Sequence, residues 1–160
     1  MVGYLMDIAR IADVAAGEAE RQQTDFNGYV RLVEAYQFGY EFREDQITPN
    51  YVYSLAALIE PSKNTFGQYR RTPVTFANGE HAVDWNLVPT AMNQWFDMVN
   101  DPSDYAISLG PERMREYWLR EFLRIHPFRD GHGRIAWIMR TRFYDQWASP
   151  DPLPKYFLGE

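Results

Sequence analysis

The amino-acid sequence predicts an all-α domain, a helical bundle carrying one small β-hairpin, on three observations. Apolar side chains recur every three or four residues along most of the chain. Several prolines stand where those periodic runs begin or end rather than inside them. One stretch, residues 71–83, alternates instead with period two around an Asn-Gly pair.

Each element follows in chain order. Leu5, Ile8, Ala12, Ala15 and Ala19 share one face of a first helix, and Phe26, Tyr29, Val33, Tyr36 and Tyr40 share one face of a second, with Thr24 as its cap. Thr48-Pro49 is an N-cap followed by proline at the first helical position, leading into Val52, Leu55 and Ile59 until Pro61 stops the run. Arg71 to Val83 reads as a hairpin, because Asn78-Gly79 tolerates the positive φ of a tight turn. Val88-Pro89 repeats the cap-and-proline device before Met92, Trp95, Phe96 and Val99. Gly110-Pro111-Glu112 repeats it before Met114, Trp118, Phe122 and Ile125. Ile135, Met139, Phe143 and Trp147 make the last stripe. Ser149 to Pro154 holds three prolines and is expected to run extended along the surface. Residues 1–160 are read as one domain: N-terminal helices over 1–35, a core over about 36–147, and a Pro-rich tail over 148–160.

Composition narrows the function. The net charge of −6 argues against nucleic acid as the main partner. No apolar run is long enough for a membrane helix, and the first twenty residues lack the pattern of a signal peptide, so a cytosolic address is expected, in the producing cell or in a host into which the protein is delivered. With no cysteine, disulfides, thiolate metal sites and cysteine nucleophiles are all excluded. Charge is nonetheless uneven: residues 112–142 carry eight arginines against four carboxylates. Such an island is either a solvated helical face with internal ion pairs or a site for a small phosphorylated ligand.

Inside that island stands His126-Pro127-Phe128-Arg129-Asp130-Gly131-His132-Gly133-Arg134, between two helical patterns. Pro127 bars regular continuation of the first helix, and Gly131 and Gly133 permit a sharp turn into the second. The free N–H groups and positive dipole end of that second helix favour phosphate oxygens. Arg134 can pair with another phosphate oxygen. Asp130 is a hard oxygen ligand suited to Mg²⁺, and His126 titrates where it can accept a hydroxyl proton near neutral pH.

These nine residues resemble the signature of the Fic domain family, H-P-F-x-D/E-G-N-G-R, at eight positions counting the free one. Phe66-Gly67-Gln68-Tyr69-Arg70 and the hairpin after it are similar to the family's Gly-x-Tyr-Arg segment and active-site flap, so the likeness spans roughly residues 36–147. The resemblance implies a Fic-like helical bundle and transfer of AMP from ATP to a protein hydroxyl. His126 would be the base that deprotonates a Ser, Thr or Tyr. Asp130 would hold Mg²⁺ against the phosphates, Gly131 to Gly133 would form the anion hole, and Arg134 would bind the outer phosphates. Val74, Thr75, Phe76, His81 and Val83 on the flap would align the target by strand addition. A branch of the family with Lys at the slot of Gly133 acts as a kinase, so Gly133 favours AMP transfer.

Three departures stand out. His132 occupies the slot of the family's Asn and is expected to point an N–H at the α-phosphate. Trp137 stands where many members have a second Arg, with Arg140 one turn further. No Glu is followed by Gly or Asn, so the motif by which some members silence themselves is missing, Glu18 reads as a surface residue, and a separate antitoxin-like inhibitor protein is the expected control. Two other readings compete: a degenerate, non-catalytic Fic-like binding protein, and a hydrolytic metal triad of His126, Asp130 and His132 with His81 as a distant fourth ligand. His81 beside the hairpin turn reads otherwise as an exposed polar residue.

Overall fold

The computed structural model describes residues 8–155, and its architecture is all-α. Seven α-helices follow one another among these residues: α1 (Ile8–Arg21), α2 (Phe26–Glu41), α3 (Pro49–Ile59), α4 (Val88–Asn100), α5 (Asp104–Ser108), α6 (Pro111–Ile125) and α7 (His132–Tyr144). Helix α7 lies at the centre, packed against α2, α3 and α6, while α1 lies on α2, and α4 and α5 lie on α6. Burial explains that position. Ile135, Ala136, Trp137, Ile138 and Met139 are five successive buried residues, so α7 presents apolar surface all round rather than on one stripe. Gly39 of α2 allows the close approach, since a Cβ there would stand 2.8 Å from Ile138 Cγ2. None of the helices among the described residues is long and apolar enough to cross a membrane.

The helix starts obey local chemistry. The Thr48 hydroxyl accepts from the Tyr51 N–H with Pro49 at the first position, as read from sequence. Helix α2 is capped by Asp25 rather than Thr24: the carboxylate takes the Gly28 N–H at 2.7 Å, and the Thr24 side chain lies over Gly28, where a Cβ would collide with it. Val88 is not a cap either. Asp84 caps a single 3-10 turn, Trp85–Leu87, which runs directly into α4 and leaves Pro89 in its first turn. Gly110, at φ 91°, starts α6 before Pro111. Helix α5, capped by Ser103, has no counterpart in the sequence reading, because five residues are too few to show a period. Leu5, assigned to the first helix, lies outside the described residues.

The hairpin shrinks to one antiparallel bridge between Thr75 and His81, and no strand occurs among the described residues. Around the bridge, the Phe76 N–H bonds the Glu80 carbonyl at 2.8 Å and the Ala82 N–H bonds the Val74 carbonyl at 3.0 Å. Pro73 lacks a donor on one arm, and a short two-armed ribbon without a third strand is marginal in water.

Two segments expected at the surface are instead buried in part. Glu18 is buried, its Oε1 accepting from Gln22 at 2.7 Å and Arg21 at 3.3 Å, and burial raises its pKa. The Pro-rich tail does not simply run over the surface: Leu153 is fully buried in the core, and the Trp137 indole N–H donates to the Asp151 carbonyl at 3.1 Å. Trp147 lies beyond the end of α7, yet its ring still packs against Tyr36 and Tyr40.

Candidate active site

The nine-residue motif forms the sharp connection between α6 and α7. His126 closes α6 in the left-handed region, φ 54° and ψ 62°, with its N–H on the Phe122 carbonyl. Gly131, at φ 90°, opens α7, and a Cβ there would come within 2.9 Å of Ile59 Cγ2. Glycine is therefore required at that position twice over, by conformation and by space.

Two buried polar residues outside the motif hold this loop. The Asn64 amide donates to the carbonyls of Ala56 at 3.1 Å and Asp130 at 2.9 Å, and its oxygen accepts from the Arg129 N–H at 3.1 Å. Arg70, 2% exposed, spreads its guanidinium over four carbonyls: Thr72 at 2.7 Å, His126 at 2.5 Å, Ile125 at 3.1 Å, and Val83. Its backbone N–H reaches Pro127 O at 2.8 Å. Burial lowers its pKa against the pull of Asp84. Thr72 and Val83 are the two feet of the flap, so one side chain ties both feet to the motif.

The two motif histidines stack on each other, ring centroids 3.5 Å apart and planes 23° from parallel. Burial pushes His126 down to about 4, against the Leu123 carbonyl and with the Arg70 charge; Asp130 pulls the other way. The ring is thus unprotonated near neutral pH, and its Nδ1 is buried with no hydrogen-bond partner among the described residues. Phe76 of the flap meets it edge-on at 5.2 Å. His132 is 4% exposed, and its Nε2 accepts the Phe128 N–H at 2.9 Å. Burial, then His126, Arg70 and Arg134, hold its pKa well below the usual histidine range. An amide can only donate, so Nε2 of this neutral ring is an acceptor and the hydrogen sits on Nδ1. The expected N–H toward a phosphate is therefore not the Nε2 one; that nitrogen turns inward because the buried Phe128 amide needs it.

Asp130 and Arg134 form an ionic cluster at the α7 start. Asp130 Oδ1 accepts the Gly131 N–H at 2.8 Å, and Oδ2 lies 3.0 Å from Lys63 Nζ. Burial would raise the carboxyl pKa, but these two partners, with Arg134, hold it below the usual aspartate value. Arg134 is nearly buried, with Nη2 3.8 Å from Glu60 Oε2 and 3.9 Å from Asp130 Oδ1. Gly133 follows His132 in the first turn of α7, half-buried. Trp137 and Arg140 stand apart from this cluster. Trp137 is fully buried beside Tyr36, and Arg140 is held by Glu116 at 2.7 Å.

On the flap, Thr75 is exposed and its Oγ1 lies 3.1 Å from His81 Nδ1, Val74 and Phe76 are half-buried, and Val83 packs against the core. His81 is exposed, as its place beside the turn suggested. The metal triad does not form. His126 and His132 lie face to face, Nε2 of His132 is engaged, and no three histidine or carboxylate side chains among the described residues stand where a metal ion could be held. Lys63, Glu60 and Asn64 had no place in the sequence reading. Their only signal was the run Glu60-Pro61-Ser62-Lys63-Asn64, which looks like an ordinary polar turn.

Comparison with known proteins gives one family: residues 46–144 match the model of the Fic/DOC family. Among solved structures, a Fic domain containing signaling protein from Bacteroides thetaiotaomicron VPI-5482 superposes with a TM-score of 0.64 at 23% identity, over 74% of this chain and 47% of that one. A Fic family protein from Desulfovibrio desulfuricans G20 superposes with a TM-score of 0.61 at 20% identity, over 88% of this chain and 49% of that one. The chain thus spans about half the length of these two structures. No curated protein matches it.

Proposed function

This chain belongs to the Fic/DOC family, and on that premise we propose that it is a nucleotidyl transferase that moves AMP from ATP to a Ser, Thr or Tyr hydroxyl of a target protein. The observation that carries the reading is the geometry: His126 closes α6 at one end of a short loop whose other end is the glycine-opened start of α7, with the nearly buried Arg134 in its first turn. His126 takes the proton of the incoming hydroxyl, whose oxygen bonds to the α-phosphorus as the bond to the bridging oxygen breaks and pyrophosphate leaves. The Gly131 N–H is taken by Asp130, so the N–H groups of His132 and Gly133 at the start of α7 meet the charge that builds on the α-phosphate, and Arg134 takes outer phosphate oxygens. The flap, held at both feet by Arg70, offers its short edge to the target backbone.

The reading includes Mg²⁺ delivered with ATP. The donor set fits such an ion: Asp130 is ionised and part-exposed, and Mg²⁺ needs only one or two carboxylates besides substrate phosphates and water. Bound there, it would neutralise phosphate charge. The reading also includes a separate, antitoxin-like inhibitor protein as a partner.

A degenerate, binding-only member is favoured by one observation, the commitment of His132 Nε2 to the Phe128 amide. One experiment separates the two: ATP labelled at the α or the γ phosphate, incubated with the protein and a cell lysate. We expect α label on protein, and a loss on the order of 10² to 10⁴ in rate for His126→Ala with ATP affinity retained. Label from γ would make the protein a kinase, and ATP binding without transfer of either label would establish the degenerate reading.

A further inference from the structure

We propose that Lys63 is a phosphate-binding residue of this site, parked on Asp130 until a nucleotide arrives; the proposal rests on the nucleotide reading above. Lys63 belongs to a tight turn after α3, in which the N–H groups of Lys63 and Asn64 both bond the Glu60 carbonyl, at 3.2 and 2.9 Å. Its neighbour Asn64 is buried and pinned by three bonds, two of them to the Arg129-Asp130 backbone. The turn therefore cannot drift from the motif loop, and the Lys63 ammonium is delivered beside Asp130 by construction. The ammonium itself is held by Asp130. The Lys63 side chain is 52% exposed on a flexible stem, and an ion pair of that exposure is weak enough to exchange partners.

Charge accounting gives the exchange a purpose. ATP brings several negative charges to a site where Arg134 already faces Glu60 and Asp130, and Arg70 is spent on backbone carbonyls. Trp137 adds no charge on the next turn of α7. A phosphate approaching Arg134 comes to the carboxylate that Lys63 also holds, since Asp130 Oδ1 is 3.9 Å from Arg134 Nη2 and Oδ2 is 3.0 Å from Lys63 Nζ. When Lys63 turns to the phosphate, Asp130 Oδ2 is freed for the cation that travels with ATP.

The test is calorimetric titration of ATP into the full chain, its Lys63→Met variant and its Lys63→Arg variant, in EDTA and in Mg²⁺. Lys63→Met should weaken metal-free ATP binding about fivefold, the size of one modest ion pair, and Lys63→Arg should stay within about twofold of the parent. With the competitor for Asp130 gone, added Mg²⁺ should strengthen ATP binding by a larger factor in Lys63→Met than in the parent. Parent-like circular dichroism is expected, because the side chain is half exposed. Unchanged ATP affinity for Lys63→Met in both buffers would overturn the role of Lys63 and leave the transferase reading standing. A parent protein that binds no ATP in either buffer would overturn both.

Discussion

Replacing His132 by alanine tests the inward-facing ring directly. The substitution takes the acceptor from the Phe128 N–H, a donor on a residue only 1% exposed. A buried donor left unpaired costs about 1–3 kcal/mol. The ring also fills the space under His126, 3.5 Å away, and between Phe122 and Phe128 at about 6 Å, so its loss opens a void as well. Together these give about 2–4 kcal/mol of destabilisation, or roughly 5–15 °C in melting temperature for a domain of this size. Two further variants separate the terms. A glutamine oxygen reaches about as far as Nε2, so His132→Gln should keep the bond and stay within about 1 kcal/mol of the parent. An asparagine oxygen stops near the position of Nδ1, so His132→Asn should lose about 1–2 kcal/mol while restoring the family's amide, with transfer at or above the parent rate. Urea unfolding followed by tryptophan fluorescence gives the stabilities, and α-labelled ATP gives the rates. An alanine variant within about 0.5 kcal/mol of the parent, or asparagine as stable as glutamine, would refute the assignment of Nε2 to the Phe128 amide.

Two other outcomes follow from the geometry. Arg70→Met strips the donor from the carbonyls of Ile125, His126, Thr72 and Val83, and should cost about 3–5 kcal/mol in urea unfolding; a melting temperature unchanged within about 2 °C would show that the guanidinium bridge is dispensable. Acid should destabilise the fold, because the unfolded chain protonates His126 and His132 near pH 6.5, whereas folded His126 resists until about 4 and burial also holds His132 well below the usual histidine range. The stability these neutral rings contribute is complete above 6.5 and is lost as pH falls toward 4, with a slope of up to about 1.4 kcal/mol per pH unit for each ring. His132→Gln should remove one ring's share of that slope in unfolding experiments across the window, and an equal slope for parent and variant would contradict it.

What could be read from sequence follows the range of the interactions. Thr48-Pro49 and Gly110-Pro111 act within one helical turn, and each lies where its spacing placed it; in the aromatic stripes Phe26 is instead exposed and Trp147 falls beyond α7. The motif was legible for the same reason, its residues being neighbours in the chain. Contacts across the fold left no such trace. Asn64 bonds a carbonyl 66 positions away, and an Asn in a polar stretch looks alike whether it clamps a loop or faces water; Arg70 was marked by the Gly-x-Tyr-Arg likeness, but not its bonds to carbonyls 55 and 56 positions away. Glu18 and Leu153 were misplaced by the same blindness, since burial depends on what packs above them. His132 is the instructive residue. Its position in the motif was plain, but the direction of its ring is decided by the Phe128 amide, a need visible only once the loop has closed.

The central place of α7 divides the site by rigidity. Amides in the buried middle of α7, residues 135–139, exchange with solvent only when the whole domain opens, so that stretch should be among the slowest-exchanging parts of the molecule. The flap, closed by a single bridge and a few hydrogen bonds, should exchange within a far smaller opening. Nucleotide bound here should slow the unbonded first-turn amides of His132 and Gly133 and leave the buried middle of α7 unchanged. The rest of its imprint in a deuterium-exchange map would fall on residues 74–82, making the weakly bonded flap a reporter of occupancy.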